Sequence, residues 1–423
     1  MLKIGVIADD FTGATDIASF LVENGLKTIQ ITELDENMPC PDVEALVISG
    51  KTRSCPADEA VAYSLRACRY LKQNGCKLFF FKYCSTFDST SNGNIGPVTD
   101  ALMKELHTDF TILSPALPVN KRTVYKGYLF AGDTLLEESG MKDHPVTPMR
   151  DSLIKRLMEA QAEGQCAVID IDTIRSGKDA VLQALKKAKE QGYKYASADC
   201  LDEQDLVLQG ETFKDFKLVT GGSGLAIGLA RALRDHINGP DVVKAGYPQG
   251  KGAVVFSGSC SVMTNRQVEK YRKIASSKCV EVDRLMGDDC NRLNFIRECA
   301  EFVKKHLYDE MAPLLFATAN PDHLHELQKK YGAEATARAV ENFFSQTAVI
   351  LKDEGVSRFI VAGGETSGIV TKSLKVKGFY IGPSVAPGVP WVRSIDSSVS
   401  LILKSGNFGD EDFFEKTQKD YPV

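Results

Sequence analysis

Short apolar runs alternate with amphipathic segments through the first 235 residues. The runs are rich in β-branched residues, as strands are, whereas the segments between them repeat apolar residues at helical spacing. This alternation predicts βαβ units around a parallel sheet that helices cover on both faces, with ligand sites at the carboxyl ends of the strands. The predicted strands are residues 3–8, 28–32, 45–49, 78–83, 110–113, 167–171, 195–199 and 216–220, and the predicted helices include 13–24, 58–74, 98–107, 152–162 and 178–191.

A stretch rich in glycine and proline interrupts this pattern. Residues 238–252 carry four glycines and two prolines without apolar periodicity, which is typical of a linker. The sequence therefore predicts two α/β domains with mainly parallel sheets and an active-site cleft between them, namely residues 1–237 and 253–423. In the second domain the predicted strands are 253–256, 314–317 and 358–361, and the predicted helices are 264–275, 292–306 and 335–352.

Charge and composition exclude several classes of protein. The chain has 51 Lys and Arg against 56 Asp and Glu and no long basic run, so nucleic acid is not an expected partner. No run approaches the roughly 20 apolar residues of a membrane span, and the first residues lack the features of a signal peptide. The 11 cysteines are scattered and never spaced C-x-x-C. We expect a cytoplasmic protein with reduced thiols and no membrane partner.

Three glycine-rich loops directly follow predicted strands, where an α/β fold presents backbone N–H groups to phosphate. The loop at residues 219–228 misses the dinucleotide fingerprint, because its third glycine comes one residue late. The other two, at 257–261 and 363–368, lie in one domain and together favour a di- or triphosphate ligand. Each of them alone is also compatible with a tight strand-to-helix turn.

A near match to a P-loop occurs at residues 49–52, but Ala45 stands where the first glycine is required. Any nucleotide site in this chain is therefore predicted not to be of the P-loop type.

Polar side chains collect after several strands of the first domain. Asp9 and Asp10 follow the first strand, Arg53 follows the third, and Lys82, Ser85 and Asp88 stand at the end of the fourth. Acidic groups beside cations at one sheet edge could position a hydroxyl and a carboxylate together, which predicts a site for a small hydroxy acid. Each of these residues could instead be a helix cap or a solvated charge, and Asp10 is a plausible cap for the helix at 13–24.

A phosphatase with an aspartyl nucleophile is the alternative that the adjacent acids raise. In haloacid-dehalogenase phosphatases the two aspartates after the first strand are separated by one residue. Asp9 and Asp10 are adjacent, so on an extended backbone they would point in opposite directions. The spacing therefore disfavours this reading.

The segment IGVIADDFTGATDIAS at residues 4–19 resembles the start of the four-carbon acid sugar kinase family. Further blocks agree in order along nearly the whole chain. In the first domain these are KYCSTFDST (82–90), GNIG (93–96), PALP (115–118), Arg122, Gly127, HPVTPM (144–149) and TGGSG (220–224). In the second domain they are SGSCS (257–261), GGETS (363–367), APGVP (386–390) and KSGNFG (404–409).

The resemblance implies that the first domain binds a sugar acid and the second binds ATP. Residues 82–90 are most similar to the branch that uses ATP to phosphorylate the terminal hydroxyl of a 3-oxo-tetronate, an oxidised erythronate or threonate, giving the 4-phosphate. A kinase of the unoxidised acid and a non-catalytic sugar-acid-binding protein are the alternatives. A homo-oligomer is compatible with these features. The expected nucleotide-binding residues are Ser257, Gly258, Ser259, Gly363, Gly364, Glu365, Thr366 and Gly406.

For the reaction, the working hypothesis is that Asp10 accepts a hydrogen bond or proton from the acceptor hydroxyl, with Asp9 and Asp88 as alternative bases. Arg53 and Lys82 would hold the carboxylate or the transferring phosphate, and Mg²⁺ would bridge the β- and γ-oxygens of ATP. The remaining predicted substrate-binding residues are Ser85 and Arg122.

Overall fold

The computed structural model describes residues 1–36, 38–143, 147–235, 240–317, 326 and 329–421. The chain divides into two compact units, Met1–Val243 and Lys244–Val423. Residues 144–146 of the HPVTPM block and residues 238–239 of the predicted linker lie outside the described residues. No helix among the described residues is long and apolar enough to cross a membrane.

The N-terminal unit is built on a parallel sheet with the strand order β2-β3-β1-β4-β11-β5-β10-β9. The predicted parallel α/β architecture is confirmed. Its strands are β1 (Ile4–Ala8), β2 (Thr28–Ile31), β3 (Ala45–Ser49), β4 (Leu78–Lys82), β5 (Thr111–Ser114), β9 (Cys166–Ile169), β10 (Tyr195–Ala198) and β11 (Leu218–Gly221). Its helices are α1 (Phe11–Glu23), α2 (Ala57–Gln73), α3 (Ile95–Glu105), α4 (Ile154–Glu159), α5 (Ile171–Arg175), α6 (Lys178–Glu190), α7 (Glu203–Phe213) and α8 (Leu225–Leu233). Helix α9 (Pro240–Lys244) contains the boundary between the two units.

The central strands are buried from end to end, because helices cover both faces of the sheet. Every residue of β1, β3 and β4 is buried. This explains why these strands are nearly continuous apolar runs in the sequence rather than alternating ones. It also leaves the ends of the strands as the places where polar side chains can gather.

A small antiparallel sheet, which the sequence pattern does not predict, also belongs to this unit. Its strands β6 (Arg122–Tyr125), β7 (Tyr128–Ala131) and β8 (Thr134–Leu135) are short and only partly buried, so they carry a weak strand signal. The buried Asp199 carboxylate anchors the sheet by accepting hydrogen bonds from the N–H groups of Lys126 (2.5 Å) and Gly127 (2.8 Å). It also accepts one from the N–H of Ile171 at the start of α5 (3.0 Å).

Replacing Asp199 with Ala should lower the free energy of unfolding by about 3 kcal/mol, because three backbone donors lose their acceptor. Chemical denaturation of the full chain measures this. The matched control is Asp133→Ala in the exposed turn between β7 and β8, for which we expect a change within about 0.5 kcal/mol. Equal stability of the two variants would show that the anchor contributes nothing.

The C-terminal unit has the strand order β13-β14-β12-β15-β18-β17-β16. Five of these strands pair in parallel: β12 (Ala253–Ser257), β13 (Ser277–Cys279), β14 (Leu314–Phe316), β15 (Arg358–Ala362) and β18 (Ser400–Lys404). The other two, β16 (Gly378–Ala386) and β17 (Val389–Ser394), form an antiparallel meander with β18. The helices are α10 (Val262–Tyr271), α11 (Val282–Leu285), α12 (Asp289–Lys305), α13 (Ala333–Asp353), α14 (Gly364–Ser373) and α15 (Phe413–Lys419).

The sequence pattern does not predict the meander. Strand β16 contains Gly382 and Pro383, and β17 contains Pro390. Both residue types are depleted in regular strands, and the pairing of β16 with β17 is accordingly irregular at two places. The apolar side chains of the meander nevertheless join the core, where Trp391 is fully buried.

Candidate functional site

Strands β1 and β4 are neighbours, and the chain leaves them in opposite directions. From β1 it passes through α1 to β2 on one side, whereas from β4 it passes through α3 to β5 on the other side. Open α/β sheets commonly bind ligands in the crevice at the carboxyl ends of such a strand pair. Asp9 and Asp10 directly follow β1, and Lys82 ends β4, so these predicted site residues lie at that crevice.

Four of the predicted site residues form one cluster of charges there. Arg53 donates to both carboxylate oxygens of Asp9, from Nε at 2.8 Å and from Nη2 at 2.9 Å. Nη2 also lies 2.5 Å from Oδ1 of Asp10, and Nζ of Lys82 lies 3.4 Å from the same oxygen. Two cations and two carboxylates are therefore joined in one network, which we call the charge cluster.

The loop that carries Arg53 is fixed by the main chain of Asp9 and by a buried asparagine. The N–H groups of Thr52 and Arg53 donate to the carbonyl of Asp9 at 2.8 and 3.1 Å. The Asn94 side chain donates to the carbonyls of Thr52 (2.6 Å) and Cys55 (3.2 Å). Asn94 thus positions the loop, a role that sequence reasoning missed, although Asn94 stands in the quoted GNIG block.

Solvent reaches only part of the charge cluster. The side chains of Asp9 and Lys82 are 5% and 4% exposed, whereas those of Asp10 and Arg53 are 22% and 29% exposed. Nη1 of Arg53 makes no hydrogen bond within the described residues. Asp10 and Arg53 are therefore the members of the cluster that can contact a ligand. Asp9 and Lys82 are buried and hold Arg53 and Asp10 in position.

The two aspartates are in different electrostatic states. Burial alone would raise the pKa of Asp10, but Lys82, Arg53, the N–H of Gly13 and the Thr12 hydroxyl outweigh it and hold that pKa well below its usual value. Burial raises the pKa of Asp9 despite the opposing field of Arg53. Asp10 therefore stays ionised throughout the neutral range, so both of its oxygens act only as hydrogen-bond acceptors.

Asp10 also caps α1, as the sequence suggested. Its Oδ2 accepts the N–H of Gly13 at 3.0 Å and the hydroxyl of Thr12 at 2.8 Å. A Cβ at position 13 would lie 1.9 Å from Nζ of Lys82 and 2.2 Å from Oδ1 of Asp10, so a larger residue there would displace members of the charge cluster. The helix start and the charge cluster are thus built from the same residues.

A further acid, Asp16 on α1, stands beside the charge cluster. It accepts a hydrogen bond from the Ser223 hydroxyl, which ties the glycine-rich loop after β11 to α1. Its other oxygen is buried without a partner among the described residues, and burial raises its pKa. The sequence reasoning missed both residues, since Asp16 and Ser223 lie 207 positions apart.

Three other predicted site residues stand outside the charge cluster. Ser85 lies against the loop after β11, because a Cβ placed on Gly222 of that loop would be 3.3 Å from the Cα of Ser85. Asp88 accepts a hydrogen bond from the Thr86 hydroxyl at 2.6 Å. Arg122, in β6, donates to the carbonyl of Asn120.

In the C-terminal unit, the three loops that follow β12, β15 and β18 touch one another. A Cβ at Gly258 would come within 2.2 Å of the Thr366 hydroxyl, and a Cβ at Gly406 would come within 2.9 Å of the Ser259 hydroxyl. The backbones approach this closely only because glycine stands at both positions. The loops of all the predicted nucleotide-binding residues are therefore brought together.

Helix α14 begins inside this group of loops without a side-chain cap. Its N-cap residue is Gly363, which has no side chain, and the first helical residue, Gly364, is exposed. By contrast, α10 is capped by Ser261, which accepts the N–H of Thr264 at 3.3 Å. The uncapped first turn of α14 is therefore suited to an anion, because its backbone N–H groups have no intrahelical acceptor.

Comparison with known proteins also divides the chain into a sugar-binding part and a nucleotide-binding part. The family described as "Sugar-binding N-terminal domain" matches residues 4–229, and the one described as "Nucleotide-binding C-terminal domain" matches residues 254–414. A curated 3-oxo-tetronate kinase of Pectobacterium atrosepticum is 55% identical over 422 residues, and one of Salmonella typhimurium is 54% identical over 423 residues, each covering 100% of both chains. A crystal structure from Salmonella typhimurium LT2, of a protein provisionally called a tRNA synthase, has 54% identity, a TM-score of 0.94 and 100% coverage of both chains.

A sugar-binding domain and a nucleotide-binding domain in one chain, with such relatives, define a sugar-acid kinase, a phosphotransferase. The chain belongs to the four-carbon acid sugar kinase family, which confirms the resemblance seen in the sequence.

Proposed function

We propose that this chain transfers the γ-phosphoryl group of ATP to the terminal hydroxyl of a 3-oxo-tetronate, forming the 4-phosphate. The observation that carries this proposal is the pairing of an accessible, ionised Asp10 with an accessible Arg53 at one crevice. Together they offer an acceptor for a hydroxyl and a cation for an anionic group. The curated names of the full-length relatives support the same substrate.

On the sugar-acid side, Arg53 does the recognition. Its Nε and Nη2 are held by Asp9 and Asp10, so its planar guanidinium has a fixed orientation. Nη1 then remains to donate to the carboxylate of the sugar acid, and a charge-assisted bond of this kind is among the stronger hydrogen bonds. Asp10 accepts the hydrogen of the terminal hydroxyl and directs its oxygen toward phosphorus.

On the nucleotide side, backbone N–H groups bind the phosphates. The uncapped first turn of α14, from Gly364 to Thr366, and the loop at Ser257–Ser259 provide donors and hydroxyls without a P-loop lysine. Helix-end N–H groups then neutralise part of the phosphate charge, and a metal ion, when bound, would supply the rest.

Mg²⁺ fits these residues as a partner of the nucleotide. Within the described part of the chain no group of three or more metal-binding side chains exists, and Mg²⁺ in such enzymes takes only one or two carboxylates besides phosphate oxygens and water. The exposed Glu365 carboxylate beside the phosphate loops is the residue that would hold it. When bound, the ion would neutralise charge that develops on the phosphate oxygens. We also place the enzyme in the cytoplasm, where ATP is available.

The test is ADP release by the full chain with Mg²⁺ and a panel of acids: 3-oxo-tetronate, erythronate and threonate. We expect ADP in proportion to the 3-oxo acid and only background ADP with the unoxidised acids. ADP formation with threonate or erythronate alone would instead assign a kinase of the unoxidised acid. A tightly bound acid with no ADP formed would identify a binding protein, and phosphate release from the 4-phosphate would identify a phosphatase.

A further inference from the structure

Lys404, the last residue of β18, is fully buried and makes no ion pair with any described residue. Its Nζ lies within hydrogen-bond distance of three oxygens: the carbonyls of Ser405 (3.1 Å) and Gly406 (2.7 Å) and the hydroxyl of Thr264 (3.0 Å). An ammonium group has three donors, so these partners use all of them. Lys404 therefore has no donor left for a ligand, and any effect on a ligand must pass through the groups it holds.

The two carbonyls that Lys404 holds determine where the next N–H groups point. A peptide group is planar and trans, so its N–H points away from its C=O. Because the carbonyls of Ser405 and Gly406 both face Nζ, the N–H groups of Gly406 and Asn407 face the opposite side. Neither N–H has an acceptor among the described residues, while the N–H of Phe408 closes the turn by donating to Ser405 at 3.3 Å.

Thr264 connects this turn to the loop after β12. Its hydroxyl donates to the carbonyl of Gly406 at 2.6 Å and accepts from the Ser261 hydroxyl at 3.0 Å. Ser261 and Ser259 in turn lie against the Cα of Gly406. Two groups thus fix the orientation of the turn at residues 405–407: the ammonium of Lys404 and the first turn of α10.

We propose that Lys404 is a positioning residue for ATP: its buried ammonium holds the 405–407 turn so that the N–H groups of Gly406 and Asn407 bind a phosphate of the nucleotide. Two successive N–H groups on one side of a turn form a concave anion site of the kind that loops use for phosphate. This inference rests on the proposed function, since the anion is ATP.

The environment of Lys404 agrees with such a role. Burial lowers the pKa of Lys404 to about 7, since no carboxylate compensates for the lost water. A buried, unpaired ammonium is costly, and an apolar side chain of the same length would avoid that cost.

The experiment replaces Lys404 with Met, which keeps an unbranched side chain one heavy atom shorter and removes the ammonium. We expect the Kd of Mg-ATP, measured by calorimetry on the full chain, to rise at least about tenfold, while the KM of the sugar acid stays within about twofold. ATP should protect the amides of residues 404–409 from hydrogen exchange in the original chain and not in the variant. Lys377→Met, at an exposed lysine of the same unit, should leave both measurements unchanged.

Two outcomes separate this inference from the function on which it rests. If the original chain binds no ATP, the proposed function fails. If the original chain binds ATP and folded Lys404→Met binds it within about twofold, with the same amide protection, Lys404 has only a structural role and the inference is wrong.

Should Lys404→Met not fold, Thr264→Val provides the second test, because it removes only the hydroxyl that donates to Gly406. Its Kd for ATP should rise about threefold, and protection of residues 404–409 should weaken. Unchanged affinity and protection in Thr264→Val would overturn the inference.

Discussion

Replacing Asp10 with Asn is expected to lower kcat by about 10²-fold or more, the usual contribution of a group that accepts a proton from the reacting hydroxyl. Asn can still accept the N–H of Gly13 and cap α1, so the fold should persist. It cannot take up a proton, however, and its amide would bring further N–H donors against Arg53 and Lys82. Steady-state kinetics with saturating 3-oxo-tetronate and Mg-ATP measure this effect.

Asp58→Asn, at an exposed position in the first turn of α2, is the matched control and should leave kcat unchanged. The pH dependence gives a second check. Since the pKa of Asp10 is held well below its usual value, its ionisation should not limit kcat anywhere between about pH 5 and pH 9. A kcat of Asp10→Asn within about threefold of the original would remove Asp10 from this role and leave Asp88 as the candidate base.

Replacing Arg53 with Lys should raise the KM for the sugar acid about 10²-fold, because the planar, multiply bonded guanidinium is lost while the charge is kept. Lysine cannot bond both oxygens of Asp9, reach Asp10 and still donate to a ligand. The affinity for ATP should not change. Initial rates over a range of acid concentrations, together with calorimetry of Mg-ATP, separate the two effects.

Arg69→Lys is the control for this substitution, since Arg69 is an exposed arginine on α2 that pairs with Glu105. It should keep the KM of the original chain. If Arg53→Lys also kept that KM, the carboxylate of the substrate would have to be held elsewhere, and Arg122 would be the next residue to replace. A parallel loss of ATP affinity would contradict the assignment of Arg53 to the sugar acid.

Asp9 and Asp10 could not be ranked from the sequence, and the structure separates them by their surroundings. Both oxygens of Asp9 are taken by Arg53 and its side chain is almost fully buried, which favours a positioning role. Asp10 shares its contacts among four donors and reaches solvent. Adjacency in the chain gave no hint of this difference, because it depends on the loop after β3.

The parallel core was predictable because buried parallel strands are continuous apolar runs, as β1, β3 and β4 show. The charged residues at their carboxyl ends were predictable for the same reason, since parallel strands end at one edge. The antiparallel meander was not predictable, because Gly382, Pro383 and Pro390 weaken the strand pattern of β16 and β17. Contacts such as those of Asn94 also could not be predicted, since they depend on how distant loops pack.

The charge cluster contains two cations, Arg53 and Lys82, and two carboxylates, Asp9 and Asp10, so its formal charges cancel. An incoming acid therefore meets little net attraction at long range, and selection among molecules depends on short-range, directed bonds. Acids of equal charge that differ only in the placement of one hydroxyl or carbonyl can then be told apart by geometry. A site rich in positive charge would instead admit almost any small anion.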